Sequence, residues 1–237
     1  MVYGESNLIG FLPVLEACRA FNIKHLVYAS LSSVYGLNDK IPFSANDNVD
    51  HPVSLYAATK KANELMAHSH SQMYGLPTTG LRFFSVNGLW SQPDMALCKF
   101  TEAMIEKKPI DVFNNGELYR DFTYIDDVIE AVVRVTKIIP KKDQEWLKVN
   151  EAIAQSSAPY QIFNVGSGAP VKLTKMIDLL EYQLGVSSIR QLKTMQVGEV
   201  TTTYSDVKEL FDEIGLRHKY HSTRALQLLW NGLSIIG

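Results

Sequence analysis

The strongest constraint on the fold is a regular alternation of helical and buried-strand patterns in the N-terminal part of the chain. Apolar residues recur at helical spacing over 5–21, and the short apolar run HLVYAS (25–30) is rich in β-forming residues. A second helix is predicted over 54–74, closed by Gly75, and a second buried strand, TTGLRFFSV, over 78–86. Helices that alternate with buried strands in this way are typical of βαβ units, so the sequence predicts an α/β fold with a parallel sheet.

The sequence pattern changes after residue 90. The elements predicted there are an amphipathic helix over 99–108, two strands around an Asn-Gly turn over 110–125, a helix opened by a capping box at 123–126 and running to about 137, a polar surface loop over 141–158, a strand and turn over 160–168, a helix over 173–185 and an apolar packed helix over 225–237.

Composition and charge exclude several classes of partner. The chain is 46% hydrophobic and 20% charged with a net charge of −2, so neither nucleic acid nor an anionic membrane is expected to bind it. No apolar run approaches the ~20 residues of a membrane span, and no secretory signal is visible. Cys18 and Cys98 lie far apart, which favours a reducing compartment, so we expect a cytoplasmic protein. His68 and His70 point to different faces of one helix, so no metal site is expected.

A tyrosine and a lysine on the second predicted helix form the first candidate for chemistry. Tyr56 and Lys60 stand four residues apart, so their side chains lie on one face of the helix. A nearby ammonium favours the phenolate form of tyrosine, and such a pair can act as a general base. This helix follows a strand that ends in hydroxyl groups, at the edge of a parallel sheet where ligands of α/β proteins bind. The pair is therefore a candidate catalytic site.

Several segments together carry a resemblance to a known family. They are YAS-x-SSVYG, DHPVSLYAATKKANELMAH, GLPTTGLRFF, PDMA and RDFTYIDDV. The chain resembles the extended short-chain dehydrogenase/reductases, the NAD-dependent epimerase/dehydratase family, over residues 5–215, and within that family it looks most like the UDP-glucuronate 4-epimerases. The resemblance implies an incomplete Rossmann-like parallel sheet with a smaller C-terminal substrate-binding domain. It also implies a bound NAD that removes hydride from C4 of a UDP-sugar and returns it to the opposite face.

The resemblance assigns catalytic and cofactor roles to particular residues. Tyr56 would be the catalytic base, and Lys60 would orient the nicotinamide ribose and lower the pKa of the tyrosine. Ala29, Ser30 and Phe84, together with the Tyr56–Lys60 pair, would contact NAD.

The resemblance also divides the chain into two domains. By the same match, residues 1–90 would be the C-terminal part of a Rossmann-type NAD-binding domain. Residues 91–237 would be mostly the substrate-binding region, with some segments returning to the Rossmann sheet.

The resemblance also assigns residues to the substrate. Ser85 would lie near the sugar, and Arg120 would bind the UDP pyrophosphate, a role suited to a forked guanidinium. Gln196 stands where the family contacts the phosphate region of the nucleotide. Gln92 replaces the arginine that is expected to face the glucuronate carboxylate, and this replacement weakens the case for that sugar.

A second departure concerns the hydroxyl group of the catalytic triad. The family places serine or threonine three residues before Val-Tyr-Gly, and here that position is Leu31. Side chains alternate faces along a strand, so the adjacent serines are not ready substitutes. Ser33 lies two residues further on and can share the face of Leu31. We therefore take Ser33 as the candidate catalytic hydroxyl.

A third departure concerns the cofactor phosphates. In the family, a glycine-rich turn places the NAD phosphates on a helix N-terminus, and this turn would lie upstream of Met1. NAD is expected from the family resemblance, although this phosphate-binding motif is not found in the chain. The segment NVGSGAPV (164–171) has Val171 where a third glycine belongs, and an ordinary turn is the favoured interpretation.

Three functions remain open from the sequence. The first is an NAD-dependent UDP-sugar 4-epimerase, the second is a catalytically inactive truncated remnant, and the third is a nucleotide-sugar-binding or oligomerisation module. The expected partners are a UDP-sugar and, as one option, a second copy of the chain in a homodimer.

Overall fold

The computed structural model of the chain describes residues 2–88, 90–146, 153–196 and 198–215. The apolar helix predicted over 225–237 lies outside these residues. The elements in chain order are a π-helical turn Gly4–Ile9, α1 Phe11–Ala20, β1 Leu26–Leu31, a 3-10 turn Ser32–Tyr35, α2 Leu55–Tyr74, β2 Thr78–Phe83, β3 Ser85–Asn87, α3 Ala96–Ile105, β4 Pro109–Val112, a 3-10 turn Phe113–Gly116, β5 Tyr119–Arg120, β6 Phe122–Tyr124, α4 Ile125–Val135, β7 Tyr160–Val165, β8 Val171–Lys172, α5 Leu173–Leu184, β9 Ile189–Leu192 and α6 Lys208–Ile214.

A parallel sheet of three strands forms the centre of the fold, in the order β1-β2-β7. Leu26 pairs with Thr78 at the start of the sheet, and Thr78 pairs in turn with Tyr160. The helix α2 connects β1 to β2, as a parallel crossover requires. The predicted parallel Rossmann-like sheet is confirmed, and β7 shows that the later part of the chain returns to it.

The helix α2 begins and ends where local signals predict. Ser54 caps its N-terminus, because the serine hydroxyl accepts a hydrogen bond from the backbone N–H of Ala57 at 3.1 Å. Gly75 ends the helix in the left-handed conformation, with φ of +69°, which glycine adopts without steric cost. The helix and strand predicted over 173–185 and 160–168 are also present.

The predicted strand over 78–86 is two strands in the structure. The chain leaves the central sheet at Phe84, whose backbone N–H donates to the carbonyl of Val165 at 3.0 Å. Ser85 then begins β3, which pairs in parallel with β6. This step carries the chain from the central sheet to a separate two-stranded sheet, so the prediction of one continuous strand is wrong.

The two strands predicted around the Asn-Gly turn do not pair with each other. β4 pairs in parallel with β9, and β5 pairs antiparallel with β8. Asn114 and Asn115 both have positive φ and form a 3-10 turn, and Asn115 donates to the carbonyl of Lys193 beyond β9. The expected local hairpin is wrong because residues distant in sequence occupy the edges of both strands.

Two further expectations are corrected by burial. The capping box at 123–126 is absent: α4 has no side-chain cap, and Thr123 lies in β6 with its hydroxyl buried and without a partner among the described residues. The loop over 141–158 is not wholly a surface loop, since Ala154 and Ala158 are buried in a cluster with Leu15 and Tyr28. Both errors arise because tertiary packing overrides local polarity.

A buried ion pair joins α2 to the sheet. Glu64 and Arg82 are each 1% exposed, and Arg82 donates through Nε and Nη2 to the two carboxylate oxygens at 2.9 and 3.0 Å. Ser30 of β1 donates its hydroxyl to the same carboxylate at 2.7 Å. Arg82 Nη1 donates at 3.1 Å to both the Tyr35 hydroxyl and the Ala45 carbonyl. The network therefore connects α2, two strands and the loop after β1.

The charges of this pair support one another. Burial alone would raise the pKa of Glu64, but the charge and hydrogen bonds of Arg82 outweigh burial and lower it. Burial alone would lower the pKa of Arg82, and Glu64 more than offsets that effect. Both side chains are therefore held in their charged forms inside the protein.

We expect Glu64→Gln to lower the free energy of unfolding by about 3–5 kcal/mol, because it leaves the Arg82 guanidinium buried without a counter-charge. Urea unfolding measures the loss. Glu106→Gln, which removes an exposed partner of Lys108, is the control and should leave the free energy of unfolding nearly unchanged, because solvent screens that pair. The double variant Glu64→Leu/Arg82→Met should lose less than Glu64→Gln alone. Equal losses for Glu64→Gln and Glu106→Gln would contradict the role of the pair.

Candidate active site

The carboxyl end of β1 presents serines in two different environments. Ser30 is 2% exposed and its hydroxyl is bound to Glu64 in the core, so only its backbone faces the sheet edge. Leu31 ends the strand half-buried and pairs with Phe83 in the sheet register. The hydroxyl of Ser33 is buried and has no hydrogen-bond partner among the described residues. The Ser33 hydroxyl is therefore an unpaired buried group beside this strand end.

The first turns of α2 lie against this strand end. Lys60 Nζ donates to the carbonyl of Ala29 at 3.1 Å, and burial lowers the pKa of Lys60. The Tyr56 side chain remains 38% exposed, with its ring 5.0 Å from the ring of Tyr3 between centroids. The structure thus brings three predicted site residues, Ala29, Tyr56 and Lys60, to one edge of the sheet.

Asn7 links the N-terminal turn to the same helix. Its side chain donates to the Thr59 hydroxyl at 2.9 Å, and its carbonyl accepts from the Asn63 side chain at 2.5 Å. These bonds hold Tyr3 beside Tyr56. Sequence reasoning did not single out Tyr3 or Asn7, because the signal is a contact between segments more than 50 residues apart.

A cavity of about 220 Å³ opens beside the end of β1. We call it the serine cavity, because four serine side chains contribute to its lining: Ser32, Ser33, Ser54 and Ser85. Arg120, Glu199 and Thr203 also contribute to its wall. Hydroxyl groups and a guanidinium suit a hydroxylated, anionic ligand.

A second cavity of about 220 Å³ lies between β3, α3 and α5. We call it the apolar cavity, since its lining includes Met95, Leu97, Phe100, Phe113, Phe122 and Leu173. Ser85, Arg120 and Glu199 line both cavities, so the two meet at these three side chains. An elongated ligand with an aromatic end and a polar end fits this arrangement.

Arg120 lies at the junction and is held from several sides. Its Nη1 donates to the carbonyls of Tyr119 and Thr201 at 3.0 and 3.2 Å, and its Nη2 donates to the Glu199 carboxylate at 3.0 Å. Burial lowers the pKa of Arg120, and Glu199 partly offsets that effect. The guanidinium is therefore a positioned cation between the two cavities.

Asp121, the next residue, organises the loops around the junction. Its buried carboxylate accepts hydrogen bonds from the backbone and hydroxyl of Ser167, from the N–H of Gly168, and from the backbone and hydroxyl of Ser205. It thereby joins the 164–171 turn to the segment that supplies Thr201 and Ser205. The amides of this turn bind a carboxylate of the chain itself, which agrees with the expectation of an ordinary turn in place of a phosphate loop.

Most of the predicted site residues do not line these cavities: Ser33, Ser85 and Arg120 do, whereas Ala29, Ser30, Tyr56, Lys60, Phe84, Gln92 and Gln196 do not. The Phe84 side chain is 3% exposed and packs with Tyr35 and Phe43 in an aromatic cluster. Gln92 and Gln196 are exposed and line neither cavity. Glu199 lines both cavities and was not among the predicted site residues. The described residues contain no group of three or more His, Cys, Asp or Glu side chains that could hold a metal ion.

The comparisons with known proteins identify the family. The model of the NAD dependent epimerase/dehydratase family matches residues 2–150, so the chain belongs to this family. The chain is 56% identical over 213 residues to an uncharacterized 37.6 kDa protein of Escherichia coli O111:H-, a match that covers 90% of this chain. It is 43% identical over 205 residues to a probable UDP-glucuronate 4-epimerase of Rhizobium meliloti, a match that covers 86% of this chain. The chain spans only 64% and 60% of the lengths of these two relatives.

A solved structure supports the same assignment of fold. The chain superposes with a TM-score of 0.82 and 25% identity on UDP-glucuronic acid 4-epimerase from Bacillus cereus in complex with UDP-glucuronic acid and NAD. The match covers 99% of this chain and 69% of that one. The α/β Rossmann-like fold is thereby confirmed. Within the described residues no helix is long and apolar enough to cross a membrane.

We expect Asp121→Asn to destabilise the chain by about 2 kcal/mol or more, because the amide replaces one of the two acceptor oxygens and turns an N–H donor toward other donors. Urea unfolding is the measurement, and Asp39→Asn, at an exposed loop position, is the matched control. Equal midpoints for the two variants would contradict the organising role of Asp121.

Proposed function

We propose that the chain supplies the UDP-sugar-binding and acid–base residues of an NAD-dependent UDP-sugar 4-epimerase resembling UDP-glucuronate 4-epimerase. The observation that carries the proposal is the pair of cavities that meet at Arg120, beside the strand end where Lys60 and Ala29 touch. In the division proposed from the sequence, 1–90 is part of the NAD-binding domain and 91–237 is mostly the substrate-binding region. The return of β7 to the sheet supports that division.

The two cavities suggest how the substrate lies. The apolar cavity would take the uracil base, whose planar ring suits walls that include Phe113 and Phe122. Arg120 would bind the diphosphate through charge-assisted hydrogen bonds. The sugar would then lie in the serine cavity, where its hydroxyl groups meet Ser33 and Ser85. The UDP-glucuronic acid bound to the Bacillus cereus enzyme supports a ligand of this class.

Tyr56 and Lys60 would carry the proton transfer. Tyr56, as phenolate, would accept the proton of the sugar 4-hydroxyl, and would return it to the same oxygen when the inverted alcohol forms. Lys60, one helical turn beyond Tyr56 and hydrogen-bonded to the Ala29 carbonyl, would orient the nicotinamide ribose. NAD, when bound, supplies the oxidation and the re-reduction at C4.

The described residues fit the nicotinamide end of NAD. Ala29 is exposed at the edge strand β1, and the Lys60 ammonium adjoins its carbonyl. We therefore place Tyr56, Lys60 and the backbone of Ala29 and Ser30 beside the nicotinamide ribose, with Phe84 supporting from the core. The 164–171 turn does not contribute to the phosphates, because Asp121 occupies its amides.

A binding module is the second candidate function, and Leu31 favours it. The side chain at the family hydroxyl position is apolar, and Gln92 lies outside both cavities. The chain could therefore bind a UDP-sugar without catalysing its epimerisation.

A homodimer is proposed because the N-terminal turn and α1 expose apolar side chains, such as those of Ile9, Leu12 and Val14. A cytoplasmic location is proposed because Cys18 and Cys98 are free thiols.

We expect Arg120→Ala to weaken UDP binding about 10- to 100-fold, because it removes charge-assisted bonds to the diphosphate. Isothermal titration with UDP measures this, and uridine should bind both chains equally. Arg190→Ala is the control, since Arg190 pairs with Asp178 and Glu181 and lines neither cavity. No UDP binding by the unaltered chain, or equal binding by the Arg120→Ala chain, would refute the proposed ligand.

We expect Leu31→Ser to raise the rate of C4 epimerisation on the order of 10²–10³, because it restores a hydroxyl beside the reacting oxygen. The assay follows UDP-glucuronate epimerisation with NAD, in a chain fused to the NAD-binding segment of a longer relative. Ser33→Ala in the Leu31 background shows whether Ser33 already provides that hydroxyl. If the fused chain with Leu31 epimerises UDP-glucuronate as fast as its Leu31→Ser variant, the proposed importance of position 31 is contradicted.

A further inference from the structure

The Arg120 guanidinium already has a carboxylate partner in the chain. Glu199 Oε2 accepts from Arg120 Nη2 at 3.0 Å, and the two side chains are 38% and 17% exposed. The two backbone carbonyls hold Nη1 independently of this ion pair. Loss of the carboxylate would therefore leave Arg120 in place while removing the negative charge beside it.

The position of Glu199 brings it into competition with a bound phosphate. Glu199 lines both the serine cavity and the apolar cavity, as Arg120 does. A diphosphate that reached Arg120 would carry its negative charge beside this carboxylate. Like charges at such close range repel, and the repulsion is strong where the groups are partly buried. A neutral ligand would experience no such repulsion.

We propose that Glu199 determines affinity and selectivity at the junction by acting as an internal competitor for Arg120. The carboxylate holds the guanidinium in the ligand-free chain and must yield when a diphosphate binds. It thereby weakens the binding of phosphate-bearing ligands and leaves that of neutral ones unchanged. This inference rests on the proposed function in one respect, namely that UDP is the ligand of the two cavities.

The test compares Glu199→Gln with Glu117→Gln. Glu117 also pairs with a cation, Lys172, at 2.6 Å, and it lines neither cavity, so the control makes the same change in net charge elsewhere. Isothermal titration with UDP at low salt should show binding about three- to tenfold tighter for Glu199→Gln, and unchanged binding for Glu117→Gln. Uridine should bind all three chains alike. The advantage of Glu199→Gln should shrink at high salt, because screening weakens the repulsion.

Equal or weaker UDP binding by Glu199→Gln would overturn the inference while leaving the nucleotide site intact. Absence of UDP binding in every chain would instead refute the proposed function. In that case inorganic pyrophosphate tests Glu199 by itself, through its protection of Arg120 against phenylglyoxal, followed by peptide mass spectrometry. Protection at lower pyrophosphate concentration in Glu199→Gln supports the inference, and identical protection in both chains rejects it.

Discussion

The buried pair of Glu64 and Arg82 is the interaction on which the rest of the structure depends. An ion pair with both charges in the core is stable only when its geometry is complete, and here two parallel hydrogen bonds and the Ser30 hydroxyl satisfy the carboxylate. Glu64 belongs to the helix that carries Tyr56 and Lys60. The pair therefore positions not only a helix against a sheet but also the proposed general base against the strand end.

A second carboxylate, Asp121, has the same function on the other side of the candidate site. It connects the turn after β7 to the segment around Ser205, and its neighbour Arg120 reaches the carbonyl of Thr201 in that segment. The cation at the junction of the cavities is thus held by backbone that Asp121 keeps in place. The two buried carboxylates together explain why residues from distant parts of the chain meet at one site.

The features predicted correctly from the sequence are those that local chemistry determines. A serine cap, a helix-ending glycine and the four-residue spacing of Tyr56 and Lys60 all lie within α2, and apolar runs mark the buried strands. Features that failed depend on partners far along the chain. The edges of β4 and β5 are taken by β9 and β8, which lie about 80 and about 50 residues further along the chain. Local turn chemistry at Asn114 and Asn115 could therefore not reveal the pairing.

The candidate site divides in the same way. Arg120 was predicted from its own motif, and the structure places it between the cavities. Glu199 reaches the same place only because the chain folds.

The turn around Gly166 shows how a local sequence motif can depend on a distant residue. A Cβ on Gly166 would lie 2.1 Å from the Ser205 hydroxyl, so the glycine leaves room for the ring of bonds around Asp121, an acid 46 residues before Ser167. This Gly-x-Gly turn binds an anion, and the anion is a side chain encoded elsewhere in the same gene.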